Sequence, residues 1–264
     1  MRGVAIGKIQ EGENTTVLGY IQSEILKELR QEYPQYVNEK ENSVAATLAN
    51  INQETKKKFI IIIDEWDCVF REDKENLALQ SEYINFLRSL FKGGPADRFV
   101  KLAYITGILP IKKYGTQSAL NNFRELTMTS PGGIAKYIGF TEAEVKVLCK
   151  EHDMPFTEMK KWYDGYHFGD FDVYCPWDVM NYLRDLQHDP DARPASYWRN
   201  TSDNAIIRSF IDYAGPSITK KLETLLSGGY IIQKIDENLT YDYLHSSEDN
   251  LWSILYLTGY LTQY

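Results

Sequence analysis

Asp64 and Glu65 are the residues whose placement asks for a chemical explanation. They close the run in KFIIIIDEWDCVF (Lys58 to Phe70), where five apolar residues, Phe59 to Ile63, lead straight into two carboxylates. A continuous β-branched run of this kind reads as a strand covered on both faces. Ligands of open α/β sheets sit beyond the carboxyl ends of the strands, which is where these acids project. An acid there can hold the Mg2+ of a nucleoside triphosphate through its water shell, and a neighbouring glutamate can polarise an attacking water. Asp67 extends the string to Asp-Glu-x-Asp. Thr106 ends the next apolar run, FVKLAYI, where a polar side chain can sense a γ-phosphate. The plainer alternative is that Asp64 caps the following turn and the other acids are solvated.

The partner of such a pair is G-x-x-x-x-G-K-[ST], whose backbone amides and lysine cradle the phosphates. The sequence holds no such string. Its nearest approach is Gly3-Val-Ala-Ile-Gly7-Lys8-Ile9, one residue short between the glycines and with isoleucine in place of the hydroxyl. It reads as coincidence.

The elements that position these residues follow from periodicity and punctuation. Residues 1–16 read as irregular, with a short strand at Val4 to Ile6. Apolar spacing predicts helices over Val17 to Tyr33, closed by Pro34, and over Ser43 to Thr55. The strand Phe59 to Ile63 is followed by a helix from Asn76 to Phe91, broken by Gly93-Gly94-Pro95, and by a second buried strand, Phe99 to Ile105. This is a βαβ unit with a right-handed crossover. Ser130-Pro131-Gly132-Gly133 is a breaker cluster, after which Thr141 and Glu144 form a capping box. Short helices are expected near 155–162, 177–187, 203–213 and 217–227, then a strand or wing over Gly229 to Ile235 and a terminal helix over Glu248 to Thr262. The expected fold is α/β, a P-loop NTPase-like partial parallel sheet over 1–129, followed by a mostly helical, lid or winged-helix-like region over 130–264.

Other groupings carry less. WYDGYHFGDFDVYCPW (Trp162 to Trp177) has the aromatics of a base-stacking surface but no basic residue besides His167, so it reads as a tight turn at Gly165 with buried aromatics. Cys149, His152, His167 and Cys175 lack familiar zinc spacing. Glu144-Val-Lys146 and Glu158-Met-Lys160 match the tail of a nuclease signature but fall in helices, where residues two apart diverge.

The 264 residues carry 43% hydrophobic and 25% charged residues and a net charge of −8. That balance disfavours direct nucleic-acid binding, which wants a basic face. Three cysteines without disulfide rhythm, no signal-peptide core and no membrane-length apolar run point to a cytoplasmic protein.

Five strings occur in order: KFIIIIDEWDCVFRE, LAYITGILPIKKYGTQSALNNFRELTM, WYDGYHF, VYCPWDVMNYL and LWSILYLTGYLT. Together they resemble the bacterial AAA-ATPase-like proteins, often fused to a C-terminal PD-(D/E)xK nuclease-like domain. The resemblance covers Thr15 to Tyr264 and implies that this chain is a piece truncated at both ends, with the phosphate loop upstream and the nuclease-like domain downstream. It implies Asp64 as the Mg2+ residue and Glu65 as the catalytic residue of a Walker B pair. It further implies Thr106 as a sensor and Arg124 as an arginine facing phosphate or a domain interface. ATP and Mg2+ would be the ligands, with hydrolysis impaired for want of the phosphate loop. The alternative is a non-catalytic protein-interaction or remnant module, and a protein partner is expected in either case.

Overall fold

The computed structural model describes residues 16–38, 40–110, 113–114, 117–118, 120–198, 215–240 and 246–263. The segments read above as a short strand at Val4 to Ile6 and as a helix over 203–213 lie outside them. No helix among the described residues is long and apolar enough to cross a membrane. The chain divides into two compact units, Met1–Phe123 and Arg124–Tyr264.

In the first unit, α1 (Val17–Glu32) and α2 (Val44–Thr55) start where short polar side chains satisfy free N–H groups. Thr16 Oγ1 accepts from Gly19 N at 3.1 Å, and Ser43 Oγ accepts from Ala46 N at 3.2 Å. β1 (Phe59–Ile63) follows, then a short α3 (Cys68–Glu72), α4 (Leu77–Phe91), α5 (Gly94–Phe99) and β2 (Val100–Ile105). Asn76 caps α4 by accepting from Leu79 N at 3.0 Å. The Gly93-Gly94-Pro95 breaker does more than end α4. Gly93 turns the chain at φ +98°, and Pro95, with its fixed φ, sits in the first turn of α5. Ile51, Leu87 and Phe99, from α2, α4 and α5, are fully buried.

β1 and β2 pair in parallel, with Ile60 opposite Leu102 and Ile62 opposite Tyr104. The expectation that both faces are covered is wrong. Strand side chains alternate between faces, and here the outer row stays open: Ile60 is 59% exposed, Ile62 61%, Leu102 56% and Tyr104 49%. Two further short strands, β3 (Lys113–Tyr114) and β4 (Gln117–Ser118), form an antiparallel pair.

The second unit contains a 3-10 turn over Gly132–Tyr137 and then β5 (Phe140–Thr141), α6 (Glu142–Glu151) and α7 (Phe156–Tyr163). Among the described residues, β6 (Asp164–Phe168), β7 (Phe171–Tyr174), α8 (Pro176–His188), α9 (Pro216–Leu226) and α10 (Glu248–Leu257) follow. The Thr141–Glu144 capping box forms as expected. The aromatic segment is a β-hairpin rather than a turn between helices. β7 is central in a three-stranded antiparallel sheet ordered β5-β7-β6. Its reversal uses Gly169 at φ +60°, while Gly165 marks a register break inside β6. Tyr163 and Tyr174 are buried as expected, whereas Trp162, Phe171 and Trp177 are exposed. Residues 229–235, expected as a strand or wing, are irregular.

Candidate functional site

The site forms where the two parallel strands end. The ladder runs one step past Ile63 and Ile105: Thr106 N donates to the Ile63 carbonyl at 2.9 Å, and Trp66 N donates to the Thr106 carbonyl at 2.9 Å. Between them the chain turns at Glu65, which adopts φ +51°. A non-glycine residue in the left-handed region costs about 1–3 kcal/mol and is retained where surrounding contacts over-determine it. Those contacts are present. Glu65 N donates to Thr106 Oγ1 at 3.1 Å, and Thr106 Oγ1 donates to the Asp64 carboxylate. The exposed Asp64 is thereby oriented by a hydroxyl from the neighbouring strand.

Beneath this the turn is stitched to the loop after β2. Asp67 is completely buried, and its Oδ2 accepts from Ile108 N at 2.9 Å and Leu109 N at 3.2 Å. Trp66, also buried, donates its Nε1–H to the Leu109 carbonyl at 3.1 Å and packs on Phe70. Arg71 of α3 reaches back to both acids: its Nη2 donates to Glu65 Oε2 at 2.6 Å, and its Nε lies 3.6 Å from Asp67 Oδ1. Gly107 is required at its position because a Cβ there would overlap the Trp66 ring and come within 3.2 Å of Asp67 Cγ.

The structure therefore brings Asp64, Glu65 and Thr106 together. Arg124 is the first residue of the second unit, exposed, with its Nη2 beside Gly132. Sequence reasoning named Asp67 only as a third acidic letter and passed over Arg71. The i, i+4 spacing of Asp67, at the N-cap of α3, and Arg71 within it was the available signal. Chemically, an exposed carboxylate beside a hydroxyl at the ends of parallel strands suits a hydrated hard cation. Glu65 is less free, because Arg71 Nη2 holds its Oε2. Among the four residues weighed for zinc, Cys149 is buried in the helical core of the second unit, where burial raises its thiol pKa. His152 pairs with Gln187 and His167 with Asp172.

Residues 8–116 match the model of the AAA-ATPase-like family, described as predicted AAA-ATPase, so the resemblance stands over that stretch, which contains Asp64, Glu65 and Thr106. The chain is also similar to an uncharacterized protein in the vnfD 5' region of Azotobacter chroococcum mcd 1. The two are 23% identical over 148 residues, covering 55% of this chain and 27% of that protein, so the chain spans little more than a quarter of this relative's length. No solved structure matches.

Proposed function

We propose that the first unit is a nucleotide-site module of the P-loop NTPase type that binds Mg2+·ATP at the ends of β1 and β2. Asp64 holds the metal through its water shell, Thr106 senses the γ-phosphate, and Glu65 polarises the attacking water once released from Arg71. The observation that carries this reading is the shared hydrogen-bond system of Asp64, Glu65 and Thr106 across two parallel strand ends. Arg124 is assigned to phosphate or interface contact by resemblance alone. Because the sequence holds no G-x-x-x-x-G-K-[ST] string, the phosphates lack that cradle, and turnover by this chain is expected to fall by orders of magnitude. Photolabelling with an azido-ATP analogue in Mg2+ tests the placement. Label mapped between Asp64 and Leu109, and competed by ATP, supports it; label elsewhere overturns it.

A second reading, a non-catalytic interaction module, is favoured by the open apolar row of Ile60, Ile62, Leu102 and Tyr104 and by the Glu65–Arg71 pair. An apolar row of this kind on a sheet face suits a protein partner. The two readings separate on nucleotide binding: only the first requires Asp64-dependent labelling.

A further inference from the structure

The second unit gathers three carboxylates that the nucleotide reading does not use. β6 and β7 place Asp164 opposite Tyr174 and His167 opposite Asp172. Asp172 and Tyr174 are two apart on β7 and so share a face. Asp164 and His167 are three apart on β6 and would ordinarily face opposite ways. The register break at Gly165 puts both on the face of Asp172 and Tyr174. Glu142, the first residue of α6, joins them, and one oxygen each from Glu142, Asp164 and Asp172 lie within 4.8 Å of one another. Oxygens around a Ca2+ at about 2.3–2.6 Å have separations of this order.

A carboxylate cluster alone is ordinary on a protein surface. Here a second feature points into it. The Tyr174 side chain is fully buried on the same face, and its hydroxyl has no hydrogen-bond partner, although buried phenols usually find one. After burial itself, the charges that act on that hydroxyl are Asp164, Lys160, Glu142 and Asp172. The convergence point currently attracts ammonium groups. Lys160 of α7 pairs with Glu142 and lies 3.4 Å from Asp164, and Lys146 also pairs with Glu142. Both lysine side chains are about half exposed and can swing into water.

We propose that Glu142, Asp164 and Asp172, with the Tyr174 hydroxyl beneath them, form a site for a hard divalent cation of the Ca2+, Mg2+ or Mn2+ class, closed by the Lys160 ammonium until the ion displaces it. An all-oxygen donor set selects this class over zinc or copper. Exchanging one ammonium for a divalent ion also offsets more of the three carboxylate charges. The inference is independent of the nucleotide site, since every residue in it belongs to the second unit.

Tb3+ luminescence excited through tyrosine tests it on the full chain, with Ca2+ and Mg2+ as competitors. The expected result is saturable emission displaced by Ca2+, with affinity reduced about tenfold or more in Asp172→Asn and increased in Lys160→Ala. Thermal unfolding gives a second readout: Lys160→Ala should lower the midpoint, and Ca2+ or Mn2+ should restore it. Absence of saturable emission, equal affinity in Asp172→Asn and wild type, or Lys160→Ala that no cation restores would each overturn the proposal and leave a salt-bridge network only.

Discussion

Thr106 Oγ1 donates a hydrogen bond to the Asp64 carboxylate from the end of the adjacent parallel strand, and the same oxygen accepts the Glu65 N–H. One hydroxyl thus fixes both the metal-binding candidate and the backbone of the candidate catalytic residue. Thr106→Val keeps the shape and removes both bonds. It should lower unfolding free energy by about 1–2 kcal/mol, measured by urea denaturation, and weaken Mg2+-dependent nucleotide binding beyond that. An unchanged nucleotide affinity would show that Thr106 has no part in orienting the site.

Asp67 predicts a larger effect. Its buried carboxylate serves two backbone N–H groups of the loop after β2 and faces Arg71. Asp67→Ala leaves those two buried donors without their acceptor and removes one of the two carboxylates that Arg71 faces, which should cost about 3–5 kcal/mol. Exposed Asp64→Ala should cost far less. Similar denaturation midpoints for the two variants would contradict the clamp.

Gly107 should tolerate no side chain. A Cβ there meets the buried Trp66 ring, so Gly107→Ala should destabilise by about 1–3 kcal/mol through overpacking. Trp66 fluorescence should shift toward the solvent-exposed range as the ring is pushed out. Neutral stability with unshifted emission would refute the packing argument.

Glu142 predicts a pH dependence. Hydrogen bonds from Lys146 and Lys160 hold its pKa down, at about 2 against an ordinary 4.5. A carboxyl with a depressed folded-state pKa contributes stability present above its unfolded value and lost as pH falls through the folded one. The wild type should therefore lose stability between about pH 5 and pH 2 more steeply than Glu142→Gln. Thermal midpoints across that window, taken in chelator, should converge at the acid end; parallel curves would show that the pairs do not shift Glu142.

The parts legible in the sequence were those whose chemistry is local or periodic. Ser43, Asn76 and Thr141 cap helices by bonding to N–H groups three residues on, so their letters suffice. β1 is legible because Phe59 to Ile63 is unbroken, and Asp64 and Thr106 were named together because both follow strand ends. What escaped depends on partners that carry no letter. Asp67 serves backbone groups 41 and 42 residues away. The open face of β1 and β2 was misread because a β-branched run does not show which of its faces is covered. The β6–β7 hairpin was taken for a turn because Gly165 looks like the reversal, which Gly169 makes.

The central claim, a Mg2+-dependent nucleotide site at Asp64, is tested most directly by calorimetric titration of the full chain with ATP. The titration is run with and without Mg2+ and repeated on Asp64→Ala and Asp172→Asn. The account predicts saturable heat that requires Mg2+, disappears in Asp64→Ala and survives in Asp172→Asn. Absence of heat at high ATP, or binding indifferent to Asp64, would contradict it and turn attention to the open sheet face as a protein-binding surface.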